Sequence, residues 1–485
     1  MNFRMYPVFA VIVIAVAWVS PFAIGPTPVV IPWLVSAATA VGLWLAFSEI
    51  SAKNLAHGWL LAALVSVGIG LLQYFGAAEG VSTWISNASA GQAFGNLRQR
   101  NHFASLTSIG LISLLWFVQS WRTGDGYRKI ALSSPTTVWM LWLLGAVFLA
   151  VGNAISGSRT GMFQWCLVIA MLTMWRSHLH WRTLTVGFVA VAAYALAIVA
   201  MPWLLHEISG VQATGLLTRF DENAGCASRL VLWSNVIYLI SQKPWLGWGW
   251  GELDFAHFMT LYPGERFCDL LDNAHNLPLH LAVELGLPVA ALCCALGGWL
   301  VWRQRPWREA DPSRQMAWGV LAVILLHSMV EYPMWYGPFQ VAVGLSIWLL
   351  WRYPTGAQNH VQYSRAVPAG KAVVAMLLIA LLAMTAWDYW RVSQLYLPPA
   401  ERWASLREDT LTKVHSSWLF QNPIDFAELS TTPIESDNAE RLNTMARQLL
   451  HFSPEARVVE KVIESATLLG KHDEAQYYLQ RFKAA

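Results

Sequence analysis

The chain has 485 residues, 56% of them hydrophobic and 13% charged, with a net charge of +3 and a mean hydropathy of +0.41. A soluble domain carries about a quarter charged residues, so a soluble globular protein is excluded. The small net charge says little about partners, and nothing in the chain reads as a nucleic-acid site.

Apolar runs long enough to cross ~30 Å of hydrocarbon recur through the first four-fifths of the chain. The expected fold is an all-α polytopic protein of the inner membrane. Its first run, Val8 to Ile24, has only Arg4 ahead of it and no small-residue cleavage site, so it reads as a retained span. Expected spans are 7–24, 29–48, 58–76, 102–120, 136–152, 161–175, 184–204, 276–302, 316–335, 338–351 and 371–389, about eleven in all. Pro333, Gly337 and Pro338 interrupt the pair at 316–351, which reads as a short outer turn. With the N-terminus inside, the inner loops hold Lys53, then Arg122, Arg128 and Lys129, then Arg176 and Arg182. Further along they hold Arg303, Arg305, Arg308 and Arg314, then Arg352, Arg365 and Lys371. Every inner loop is basic, as the positive-inside bias requires, and the C-terminus falls outside.

A second set of arginines then lies on the outer side: Arg98, Arg100, Arg159, Arg219, Arg229 and Arg266. Positive charge kept there opposes the insertion bias. It suits anion binding, because a planar guanidinium matches phosphate oxygens; pairing with Asp221, Glu222 or Glu265 is the plainer account. The outer loop from Leu205 to Leu271 far exceeds the other connections, and loops of this length are usually functional. Within it, Ser228–Trp233 opens an amphipathic helical pattern running to Ile240, and Pro244–Gly251 interleaves tryptophan with glycine. Those tryptophans read first as interfacial anchors, like many of the 28 in the chain. Cys226 and Cys268 share this loop and can pair if it faces an oxidising compartment. Residues 391–485 turn polar, with apolar positions at i, i+3 and i+4 in Asn438–Phe452 and Val458–Leu469, a tetratricopeptide-like helical hairpin. The expected domains are therefore 1–204 and 276–390 in the membrane, 205–275 as the periplasmic loop, and 391–485 as a small helical periplasmic domain.

No phosphate-loop, paired-histidine or nucleophile-elbow motif occurs. No Asp-x-Asp pair stands in an outer loop, so neither a metal nor another cofactor is expected. The outer face offers instead one imidazole, the arginines, some amides and a few tyrosines. The stretch Asp272–His280, running on to Gly286, closes the large loop and opens an apolar helix. His275 is expected one turn inside that helix at the membrane boundary, where an imidazole exchanges protons near neutral pH. The plainer reading makes Asp272 the cap and His275 a solvated side chain. Asn101 and His102 follow Arg98 and Arg100 just before the fourth span, and Ser156–Gly161 carries Arg159 into the sixth. Tyr332 and Tyr336 stand at the same level. This set suits a pyrophosphate leaving group on a lipid-anchored substrate, with arginines stabilising developing charge and a histidine taking the acceptor's proton.

His275, followed eleven positions later by Gly286, resembles the histidine–glycine motif of the O-antigen ligase superfamily, whose members include Wzy-type polymerases. Arg229 resembles the arginine of that family's second motif, although the family's leucine four positions on is Trp233 here. More narrowly, Gly95-Asn96 with Asn101-His102-Phe103, then Ser156–Gly161, then Asp272–His275 is similar to the PglL-type bacterial protein O-oligosaccharyltransferases. So are Leu450–Pro454 and Ala475–Arg481 in the tail. The resemblance implies metal-independent glycan transfer from undecaprenyl pyrophosphate, in the periplasm, to Ser or Thr hydroxyls of pilin or other exported proteins. It implies His275 as the essential histidine and Tyr332 or Tyr336 as a further functional residue. The neighbouring expectation is an O-antigen ligase or polymerase, with lipid A core or a growing glycan as acceptor. A glycolipid transporter fits less well, since that needs ionisable groups along a mid-membrane path and only Glu284 and His327 stand near apolar runs.

Overall fold

The computed structural model describes residues 6–20, 26–27, 30–45, 50–78, 84–121, 134–212, 215–216, 225–353 and 369–485, and no strand occurs among them. Helices stand at each of the eleven expected places. They are α1 (Tyr6–Val19), α2 (Val30–Leu45), α3 (Ala52–Tyr74), α4 (Arg100–Ser120), α5 (Pro135–Ile155), α6 (Arg159–Met174) and α7 (Trp181–Ser209). The loop adds α8 (Arg229–Gln242) and α9 (Leu253–Met259), followed by α10 (Leu277–Leu285) and α11 (Leu287–Gln304). Then come α12 (Pro312–Ser328), α13 (Gly337–Arg352) and α14 (Ala369–Ser393). Among the described residues six helices are long and apolar enough to cross a membrane: α3, α4, α5, α7 and those beginning at Leu287 and Ala369.

Local chemistry starts several of these helices where the apolar runs begin. Ser51 and Asn54 form a reciprocal capping box at α3. Ser134 caps α5 ahead of Pro135, and Asp311 caps α12 ahead of Pro312, each proline having no N–H to waste at that position.

Two compact units divide the chain: residues 1–23, 29–222 and 301–382 form one, and residues 24–28, 223–300 and 383–485 the other. The first unit buries Trp59, Phe103, Leu149 and Trp165 almost completely. Its helices approach closely through small residues. A Cβ on Gly110 would overlap Ala63, and one on Gly152 would overlap Val67, the packing expected where lipid supplies no hydrophobic drive between helices.

The second unit gives the large loop a core of its own, built on Leu232, Val236, Leu239, Leu253 and Val283. Cys226 and Cys268 form a disulfide. Four C-terminal helices, α15 (Gln421–Thr431), α16 (Ala439–Leu449), α17 (Ala456–Leu468) and α18 (His472–Ala484), follow in series. Phe258 of α9 joins their apolar core with Leu429, Leu442 and Val462. His451 stacks on Phe255 with ring centres 3.8 Å apart and meets Glu252 at 2.7 Å.

One expected helix is two. The run 276–302 breaks at Gly286, whose φ is 85°, because the loop Pro244–Gly251 inserts its backbone there. Trp248 N–H donates to the Val283 carbonyl at 2.8 Å, Gly249 N–H to that of Glu284 at 3.0 Å, and Leu287 N–H to that of Pro244 at 2.8 Å. A Cβ on Gly286 would overlap the Trp245 carbonyl, and one on Gly247 the Glu284 carbonyl. Two glycines therefore make a clasp that no larger residue fits.

Candidate active site

In the first unit, side chains from three segments meet at the start of α4. Glu331, buried in the connection between α12 and α13, accepts from the Gln99 amide at 3.2 Å and from the Asn101 amide at 3.2 Å. Asn101 in turn accepts from Ser158 Oγ at 2.6 Å, and Ser158 caps α6 by accepting from Gly161 N–H at 3.0 Å. The chain Ser158–Asn101–Glu331–Gln99 thus ties two helix starts to one loop. His102 is 5% exposed, and among the described residues neither of its ring nitrogens has a hydrogen-bond partner. Its ring lies 4.8 Å from that of Tyr336, 5.1 Å from Phe339 and 5.4 Å from His327. His327 reaches inward to Ser105 Oγ at 2.8 Å, which also accepts from Gln164 at 2.6 Å.

Arginines surround this rim. Arg98 sits in the left-handed region at φ 59°, 3.3 Å from Ser86 Oγ, close enough to Tyr336 for its charge to act on the phenol. Arg100 and Arg159 are the first residues of α4 and α6. A cation in a first turn opposes the helix dipole, so helix stability does not explain these positions. Backbone N–H groups and a guanidinium together make a good anion cradle. Tyr332 is half-buried at the entry to the 3-10 turn Pro333–Trp335, whereas Tyr336 lies on His102.

In the second unit the expected geometry of His275 needs correction. It lies outside the helix: Asn276 is the cap, accepting from Leu279 N–H at 3.1 Å, and α10 begins at Leu277 with Pro278 in its first turn. Asp272 is exposed and caps nothing. His275 instead takes φ 49°, with its N–H donated to Asn273 Oδ1 at 2.9 Å. Non-glycine residues rarely hold this conformation, and they do so where surroundings impose it.

The surroundings are visible. Trp233 Nε1 donates to the Ala274 carbonyl at 3.1 Å, and the Ala274 N–H meets His280 Nδ1 at 3.4 Å. Buried His280 is braced by Glu284 at 3.3 Å, whose other oxygen accepts from Gly251 N–H at 3.0 Å. Arg229 opens α8 behind its Ser228 cap, one turn before Trp233 and on the same face. The tryptophan that departs from the resembled motif is thus the side chain that holds the histidine turn. Arg266 donates to the Thr260 carbonyl at 2.9 Å, a structural bond. Arg219 lies outside the described residues.

Sequence reasoning missed the roles of Glu331, Gln99, Ser158, His280 and Asp254. Burial, with Asp272 and Glu252 nearby, pushes the Asp254 carboxyl up to about 7, partly opposed by the bond from Phe255 N–H. Burial and the Arg266 charge press His257 down to about 3, where it bridges Tyr262 and the Phe267 carbonyl. Glu331, Gln99 and Ser158 are set by partners distant along the chain, and the others by burial that no local pattern marks. The first-unit rim brings Asn101, His102, Tyr336 and Arg98 near one another, with Arg100 and Arg159 opening its two helices, while in the second unit Arg229 opens α8 and His275 precedes α10.

Comparison with known proteins follows the same layout. The family model for O-antigen ligase matches residues 144–294, that for protein glycosylation ligase matches 93–117, and that for the C-terminal part of a virulence factor membrane-bound polymerase matches 315–485. A general O-oligosaccharyltransferase of Acinetobacter baylyi is 24% identical, over 74% of this chain and 61% of its own length. A ComP-specific O-oligosaccharyltransferase of the same organism is 22% identical, over 53% of this chain and 44% of its own. The chain thus spans less than two thirds of either relative. These matches are similarities to O-antigen ligases and protein glycosylation ligases, the latter lying across the start of α4.

Proposed function

We propose that the chain is a metal-independent glycosyltransferase of the bacterial inner membrane. It moves a glycan from undecaprenyl pyrophosphate to Ser or Thr hydroxyls of pilin or another exported protein. His275 removes the hydroxyl proton as the oxygen attacks the sugar carbon, and the carbon–oxygen bond to pyrophosphate breaks. The diphosphate leaves with the bonding pair, its charge met by arginines. In this reading about eleven helices cross the membrane, the N-terminus is cytoplasmic, and the large loop and C-terminal helices are periplasmic. The Cys226–Cys268 disulfide favours that side, since such bonds persist in oxidising compartments.

The observation that carries the reading is the His275 turn. A histidine kept out of its helix at φ 49° by Asn273, Trp233 and a buried His280–Glu284 brace is an imidazole set in place for chemistry. Conformations of this kind gather at functional sites. The relatives' names, both O-oligosaccharyltransferases, agree with a protein acceptor.

A second reading, polymerisation or ligation onto lipid A core, is favoured by one observation: the tail matches a polymerase C-terminal model. Co-expression with pilin and a lipid-linked glycan separates the two. The proposal expects pilin to gain the glycan's mass; unshifted pilin beside newly elongated or core-linked polysaccharide establishes the second reading.

A further inference from the structure

The first unit also contains an elongated apolar hollow that the polar rim does not use. At its outer end α2 and α13 cross tightly, where a Cβ on Gly337 would stand 2.6 Å from Ser36 Oγ. Beyond the crossing a cavity of about 370 Å³ runs between the two helices. Small residues hollow it out: Ala37 and Ala40 on one wall, Gly344 on the other, where an added Cβ would meet nothing within 4 Å. Trp33 stands at the outer end, and Trp44 and Trp348 at the inner end. Lys371 lies 5.1 Å from the Trp44 ring and Arg352 5.1 Å from the Trp348 ring, so cation-backed indoles stand at the inner end. From Gly337 to Trp348 the helix rises ~16 Å, about half the hydrocarbon thickness.

The lining is almost wholly apolar, which suits a hydrocarbon chain. Which chain is decided by what stands at the outer end. Gly337 adjoins Tyr336, the residue that lies on His102 beside Arg98, and the α4 start with Arg100 belongs to the same rim. A phosphate at that rim and an apolar tail in the slot are the two halves of one amphiphile.

We propose that the slot between α2 and α13 binds the isoprenoid tail of the lipid-linked donor, its first few isoprene units lying along Ala37, Ala40 and Gly344. The proposal rests on the donor class named above. It adds a tail subsite, and hence a dependence on tail length.

The test uses the full chain in lipid nanodiscs, with undecaprenyl pyrophosphate carrying a diazirine in its tail and no glycan or acceptor. Irradiation is expected to label peptides of α2 and α13, and unlabelled undecaprenyl pyrophosphate to suppress that labelling. Gly344→Leu and Ala40→Leu add side chains to the slot from opposite walls, and a Cβ on Gly344 meets nothing within 4 Å. Each is expected to cut labelling roughly tenfold, the factor for losing about two methylene groups of burial. Each is also expected to raise the KM for an undecaprenyl-linked donor by about the same factor while leaving a geranyl-linked donor unchanged. Labelling confined to other helices overturns the proposal. So does equal suppression by phosphatidylglycerol, which makes the slot a site for bilayer lipid, or an equal effect of both variants on the short donor. Because labelling needs no glycan, slot labelling with unshifted pilin overturns the transfer reading alone.

Discussion

The α4 rim and the His275 turn are built by opposite means. The rim is a network of side chains: Gln99, Asn101, Ser158 and Glu331 hold one another across two helix starts and a loop. The turn is held through backbone: a two-glycine clasp breaks the helix behind it, and indole and imidazole bonds seize both polar groups of Ala274. A side-chain network loses strength one bond at a time. A backbone clasp has no partial state, since one added methyl group removes it.

The largest effect is expected at the turn itself. His275→Asn keeps a residue that tolerates the left-handed region but removes the imidazole proposed as the base. Transfer to pilin should fall by a factor of ~10² to 10⁴, the usual worth of a general base, with membrane insertion unchanged; mass spectrometry of pilin reads it. Persisting transfer would return His275 to a purely structural part.

Gly286→Ala tests the clasp. A Cβ there overlaps the Trp245 carbonyl at a φ of 85°, so the loop should be destabilised by about 2 to 4 kcal/mol. Limited proteolysis within 244–275 should accelerate, and activity should fall with it. An unchanged digestion pattern would show that the break does not depend on glycine.

Asn101→Ala tests the network. It removes one bond to Glu331 and one from Ser158, and should weaken donor use by roughly tenfold through a loss of about 1 to 3 kcal/mol, with little change in thermal stability. Donor KM against kcat separates this from a folding defect.

The last effect is the pH dependence at Asp254. Its carboxyl is raised to about 7 when folded, from an ordinary 3.8, so the folded state favours the protonated form. The penalty is absent below pH 3.8, grows as pH rises, and is complete above 7. His257, pressed down to about 3, works the other way as pH falls below 6.5. Asp254→Asn should therefore raise the melting temperature at pH 8 more than at pH 5. Equal shifts at both would assign the gain to packing.

Helix positions were legible because apolar runs and caps are local. The amphipathic pattern from Ser228 became α8, and the i, i+3, i+4 spacing at 438–469 became α16 and α17. The break at Gly286 was hidden because its cause, the Trp245–Leu246 backbone, lies forty residues upstream in an unrelated composition. The start of α10 was misplaced for a different reason. Asn276 followed by Leu277-Pro278 carries the stronger capping signal, although the carboxylate of Asp272 is also a good capping group. Glu331 stood in plain view beside Tyr332, but a single carboxylate says nothing until the amides that meet it are known. The same holds for Trp233, whose indole matters only through the Ala274 carbonyl.

The Cys226–Cys268 bond has a temporal side. Cys226 precedes Arg229 by three residues and Cys268 precedes His275 by seven, so one covalent link sits just upstream of both. Where thiols are kept reduced that link cannot persist, and the two segments then keep only non-covalent ties such as the Trp233 bond to the Ala274 carbonyl. A chain exported as proposed above would therefore gain this link only on reaching an oxidising compartment.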